Sequence, residues 1–150
     1  MWPFNKTPKT PDKLPIDGPW SVGQGQHNGQ VLIVRSNSGY RDIAPIASYD
    51  HQVGIAVPIR DPDANGLPST EEGSELGEVE DALCGSLESD ASTLLVAVIT
   101  TGGMREFVFY TRKPEEVKIT FESLRKSISS HEIQLMIQPD KRWNTYSQFQ

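Results

Sequence analysis

At 150 residues the chain has the length of one ordinary domain. A content of 36% hydrophobic and 23% charged residues is that of a globular body, and no apolar run approaches the ~18 residues of a membrane helix. Formal net charge is −6, and between Arg60 and Arg105 there is no Lys or Arg but ten acids, Asp61 to Asp90, a surface that repels phosphate backbones and argues against nucleic acid as a partner.

Pro3, Pro8, Pro11, Pro15 and Pro19 punctuate the first nineteen residues, each removing a backbone donor, so 1–19 reads as a flexible, proline-rich tail and 20–150 as a single domain. The opening also lacks the apolar stretch of a secretory signal, which makes the cytoplasm the expected location. WSVGQGQH, the turn Asn28-Gly29 and QVLIVR predict a β-hairpin, and residues 36–50 read as loop. In HQVGIAVPI, Val53, Ile55, Val57 and Ile59 alternate with Gln52, Gly54, Ala56 and Pro58, the pattern of a strand with one buried face.

Ser69 and Glu72 form a capping-box pair, and Leu76, Val79, Leu83 and Leu87 recur at helical spacing, predicting an amphipathic helix over about 69–88. TLLVAVIT, the turn TTGG and MREFVFY predict a second hairpin over 93–110. Val117, Phe121, Leu124 and Ile128 mark a second helix after Pro114, IQLMIQ (133–138) a last strand, and DKRWNTYSQF a closing helical turn. From residue 51 the order is strand, helix, strand, strand, helix, strand, the ferredoxin-like split βαβ arrangement, so the expected class is α+β with an N-terminal hairpin added. Right-handed crossovers put both helices on one face of an antiparallel sheet. Gly54 and Ala56 leave the other face thinly covered, to be filled by the first hairpin, by Trp143, Tyr146 and Phe149, or by a second subunit in a homodimer.

Several stretches invite a chemical reading. DPDANGLPSTEE (61–72) places Asp61, Asp63, Asn65, Gly66 and Glu72 as an EF-hand calcium loop does, the one cofactor the sequence raises. Against calcium, a strand rather than a helix leads into it, Pro68 sits where that loop donates to a short bridge, and Glu72 is taken by the cap; an Asx-rich turn before an acidic helix start explains the same letters. EFVFY resembles the aromatic strand of RNA-binding domains, but Arg105 and Glu106 stand where an aromatic and a small residue belong. His27, His51 and His131 fall in separate elements and no nucleophile or metalloprotease motif is present; Cys84 alone excludes an intramolecular disulfide. Glu80, Thr101 and Arg105 form a candidate ligand or ion-pair site, with Glu80 beside the helix stripe and Arg105 opening the strand after TTGG. On the opposite side of that helix, Glu71, Glu78, Asp81 and Glu88 form an acidic face, the candidate partner surface.

NGLPSTEEGSELGEVEDAL (65–83), TTGGMREFVFY (100–110) and DKRWNTYSQF (140–149), in that order and spacing, resemble the uncharacterised bacterial family catalogued as domain of unknown function number 695, over about residues 20–149. The resemblance implies a lone domain or one joined to a domain similar to the protein inhibitor of ribonuclease E, itself ferredoxin-like, and it implies no activity. The expected function is a non-catalytic cytoplasmic module, protein-binding or regulatory, and the alternative is a small enzyme or ligand-binding domain with a site near Arg105.

Overall fold

The structure, a computed structural model, describes residues 13–150, so the tail expected over 1–19 lies largely outside the described residues. Its elements follow in chain order as β1 (Trp20–His27), β2 (Gln30–Asn37), a 3₁₀ turn (Ser38–Tyr40), β3 (His51–Pro58), α1 (Thr70–Leu87), β4 (Thr93–Thr101), β5 (Met104–Thr111), α2 (Pro114–Ser127), β6 (Gln134–Pro139) and α3 (Asn144–Ser147). Among the described residues the strands form one antiparallel six-stranded sheet in the order β1-β2-β4-β5-β3-β6, and the class is α+β. No helix of the described residues is long and apolar enough to cross a membrane.

Strand parity and helix periodicity meet on one face. Val53, Ile55 and Val57 of β3 and Phe107 and Phe109 of β5 point to the same side, where Leu76, Val79, Leu83 and Leu87 of α1 and Val117, Phe121 and Leu124 of α2 close over them. Burying each of these side chains contributes about 1.5–3 kcal/mol. α1 starts where Ser69 Oγ accepts the Glu72 N–H (3.1 Å), but the reciprocal half of the box is missing, because the Glu72 carboxylate turns back to other donors. α2 starts at Pro114, whose missing N–H costs nothing in a first turn.

The continuous apolar run of β4 has a structural reason. A bulge between Leu95 and Ala97 shifts its parity, so Leu95 and Val98 serve the helix-side core while Leu94, Val96 and Ala97 serve a second cluster on the far face. The first hairpin extends the sheet beside β4 and does not cover that face. The cover comes from Tyr40, Ile46 and Tyr49, in the segment expected to be a plain loop, and from Trp143 and Tyr146. Leu14 and Ile16 pack at its margin.

Trp143 stacks on Tyr110 (centroids 4.2 Å apart, 8° between planes) and donates its indole N–H to Tyr49 O at 2.8 Å. Tyr110 donates to Asp140 Oδ2 at 2.7 Å, and Asp140 accepts the Asn144 and Thr145 N–H groups that begin α3. Tyr146 donates to Asn37 O at 2.6 Å. A four-residue helix thus stays in place because Asp140 satisfies its first N–H groups and its aromatics are buried.

Candidate partner-binding surface

The calcium-loop residues are not gathered round one point. Glu72 is buried and accepts the backbone N–H groups of Arg60 (2.6 Å) and Asp61 (3.1 Å), with His131 Nε2 2.7 Å away. Burial pushes its carboxyl upward, but the Arg60 N–H, the His131 ring and the Asp61 N–H outweigh it and hold the group below its ordinary value. Asp63 Oδ1 accepts the Asn65 and Leu67 N–H groups, an Asx turn. Among the described residues no group of three or more His, Cys, Asp or Glu side chains is placed to hold a metal ion.

The site drawn around Arg105 also rearranges. Glu80 is held by both terminal guanidinium nitrogens of Arg35 on β2, not by Arg105. Trp20 lies against the same guanidinium, 5.3 Å from ring centroid to Cζ. Arg105 donates Nε–H to Thr100 Oγ1 at 2.9 Å, and Thr101, one residue on and therefore on the opposite face, donates to Val31 O. Burial first, then the like charge of Arg35, pulls Arg105 below the usual guanidinium range, with Glu80 acting the other way. None of the five described cavities is lined by Glu80, Thr101 or Arg105.

The acidic face is smaller than expected. Glu71, Glu78 and Asp81 are exposed, while Glu88 caps the end of α1, is half-buried and accepts the Leu95 N–H at 2.9 Å. Burial pushes its carboxyl above the ordinary range despite that bond. Cys84, half-buried beside Glu88 and Glu80, has its thiol pushed far up by burial and then by those charges, so it is no thiolate nucleophile.

The least expected feature lies on the far face of the sheet, at the margin of the aromatic cover, where Ile99 still packs against it. Cross-strand register aligns Val34, Ile99, Glu106, Ala56 and Gln134 in one row, with Leu32, Thr101 and Met104 in the next. Met136, 47% exposed, stands across the strand pair from Gly54. Glu106 is the single charged side chain of these rows. It is half-buried, no described hydrogen bond or ion pair reaches it, and burial alone pushes its carboxyl above the ordinary range. Its seat is Gly54, where an added Cβ would lie 2.5 Å from Glu106 Oε2 and 3.7 Å from Met136 Cε. A carboxylate on an apolar, small-residue floor can take one cation framed by apolar contact. Gly54 and Ala56 signalled a thin face in the sequence, and Glu106, at the same parity as Val108 and Tyr110 in EFVFY, was the missed signal.

Residues 19–150 match the model of a family described as Family of unknown function (DUF695). No curated protein and no solved structure matches the chain.

Proposed function

The chain belongs to the DUF695 family, and on that premise we propose that it is a non-catalytic, cytoplasmic protein-binding module whose partner docks a Lys or Arg on Glu106. The observation that carries this reading is a half-buried carboxylate with no described partner, in the middle of Val34, Ile99, Ala56 and Met136. Such a group costs folding free energy while it stands alone, and a bound cation removes that cost. The exposed Glu71, Glu78 and Asp81, on the other side of the sheet from Glu106, add to the net negative charge that favours a basic partner. The free Cys84 thiol suits a reducing compartment, which supports the cytoplasmic setting. The sheet order β4-β5-β3-β6, with α1 and α2 on one face, supports reading residues 51–139 as a ferredoxin-like split βαβ unit extended by β1 and β2.

The test is affinity capture from the native host with the wild-type chain, Glu106→Gln, Ile99→Asp, and a variant carrying Lys at 71, 78 and 81. The expected result is one partner lost with the first two substitutions and recovered, more slowly and with weaker salt dependence, with the third. A partner retained by Glu106→Gln and lost with the triple variant would place the interface on α1 instead.

A further inference from the structure

The two edges of the sheet are built differently. β6 has six residues, stops at Pro139, which offers no N–H, and lies between Glu132 and Asp140. β1 has eight residues, seven of them exposed, with no charge and no proline within the strand, and its Val22 is 71% exposed.

Hairpin geometry identifies the free backbone groups of β1. The two-residue turn Asn28-Gly29, both at positive φ, closes on a hydrogen-bonded pair, His27 with Gln30. Bonded and non-bonded pairs alternate from there, so Ser21, Gly23, Gly25 and His27 turn their N–H and C=O groups to β2; the Ser38 N–H donated to Pro19 O at 2.9 Å continues that alternation. The groups of Trp20, Val22, Gln24 and Gln26 point away from the sheet, where no described strand pairs with them.

We infer that β1 pairs antiparallel with β1 of a second copy of this chain, about a two-fold axis through Gly23. In that register Trp20 faces the second copy's residue 26 and Val22 its residue 24, so all four outward residues of each strand are bonded. Shifting the register by one bonded pair in either direction strands an outward residue on each chain. On the far face Gly23 meets its own copy and Ser21 meets position 25, and a Cβ built at Gly23 or Gly25 has nothing within 4 Å, so no side chain blocks the approach. Self-pairing suits the chemistry of the strand. With no charge it offers nothing to attract a basic or an acidic peptide, and the axis brings no like charges together. Of the acids of α1, Glu80 is held by Arg35 on β2, one strand from this edge. A strand pair buries little side-chain surface, so the association is weak and concentration-dependent. It is independent of the docking on Glu106.

Sedimentation velocity from about 10 μM to about 1 mM, the range of weak interfaces, tests it. The wild-type chain is expected to move from monomer toward dimer. Gln24→Pro removes one outward N–H without touching the β1–β2 ladder, and Val22→Lys puts a charge on the edge; each is expected to weaken the dimer at least about tenfold, with the monomer's melting curve kept. Should Gln24→Pro disturb the fold, Val22→Lys and crosslinking decide. In a Cys84→Ala background, Gly23→Cys is expected to oxidise to a covalent dimer, because residues facing each other across such an axis have Cα atoms about 4.5 Å apart, while Gly25→Cys is not. A chain monomeric throughout, a dimer indifferent to both edge variants, or equal crosslinking at 23 and 25 would overturn the inference. So would a monomeric chain whose edge takes a foreign peptide that Gln24→Pro removes.

Discussion

The two faces of the sheet are covered to different degrees. On the helix side, α1 and α2 bring seven buried side chains down on β3, β4 and β5, and the strand residues beneath them are fully enclosed. On the far side, Tyr40, Ile46, Tyr49, Trp143 and Tyr146 cover β4 and β5 at one end, Ile99 packs at their margin, and Glu106, Ala56 and Met136 beyond it stay partly open among the described residues. The covered part of the far face is buried as deeply as the helix side and hydrogen-bonded through Trp143 to Tyr49, Tyr110 to Asp140 and Tyr146 to Asn37, although the buried Tyr40 hydroxyl has no partner among the described residues. Next to the aromatic cover, the thinly covered strip holds the carboxylate that has no partner among the described residues. The proposed docking on Glu106 rests on this difference between the two ends of the face.

The largest effect expected is on the covered part. Trp143→Ala removes a fully buried indole and a hydrogen bond, and is expected to cost about 3–5 kcal/mol in urea unfolding, as much as Phe107→Ala on the helix side. A loss below about 1 kcal/mol would show that the far-face cover is an ornament on a self-sufficient helix-side core.

Next comes the buried pair under the start of α1. Glu72→Gln leaves His131 and two backbone donors poorly satisfied and is expected to cost about 1–3 kcal/mol at neutral pH. Because the Glu72 carboxyl is held below its ordinary value in the fold, its stabilisation is present above the ordinary carboxylate range and lost as pH falls through the depressed value. Melting curves from pH 7 down to about pH 3 should show a shallower acid decline in the variant than in the wild-type chain.

Glu106→Gln is expected to act in the opposite direction and more weakly. A carboxyl raised by burial favours the fold below the ordinary carboxylate range and loses that contribution as pH rises through its folded value, so removing the charge should raise neutral-pH stability by up to about 1 kcal/mol. A destabilised variant would mean that Glu106 already has a partner. Smallest of all, Lys at 71, 78 and 81 together should leave unfolding within about 0.5 kcal/mol of wild type per substitution, since these side chains are exposed.

The sequence disclosed what depends on period. Val53, Ile55 and Val57 alternate, Leu76, Val79, Leu83 and Leu87 recur every third or fourth residue, and Asn28-Gly29 marks its own turn; each element lies within a residue or two of its expected place. What depends on register stayed hidden. Arg35 reaches Glu80 only because β2 adds beside β4, and Thr100 shares the face of Arg105 only because of the pairing of β4 with β5. The bulge at Leu95/Ala97 reverses parity in the middle of an apolar run that looks uniform as letters. Tyr40, Ile46 and Tyr49 follow no period because an irregular segment lays them on the sheet, and Glu88 leaves the acidic face because α1 ends at Leu87 and turns it toward the Leu95 N–H. That no cation among the described residues reaches Glu106 is a matter of placement in space, which no spacing records.

The most direct measurement is the carboxyl titration of Glu106 by carbon-detected NMR, on the free chain and again with the captured partner bound. The expected midpoint lies above the ordinary glutamate range in the free chain, from burial, and falls well below it in the complex as a Lys or Arg arrives. An ordinary midpoint in the free chain, or one that does not move on binding, would contradict it.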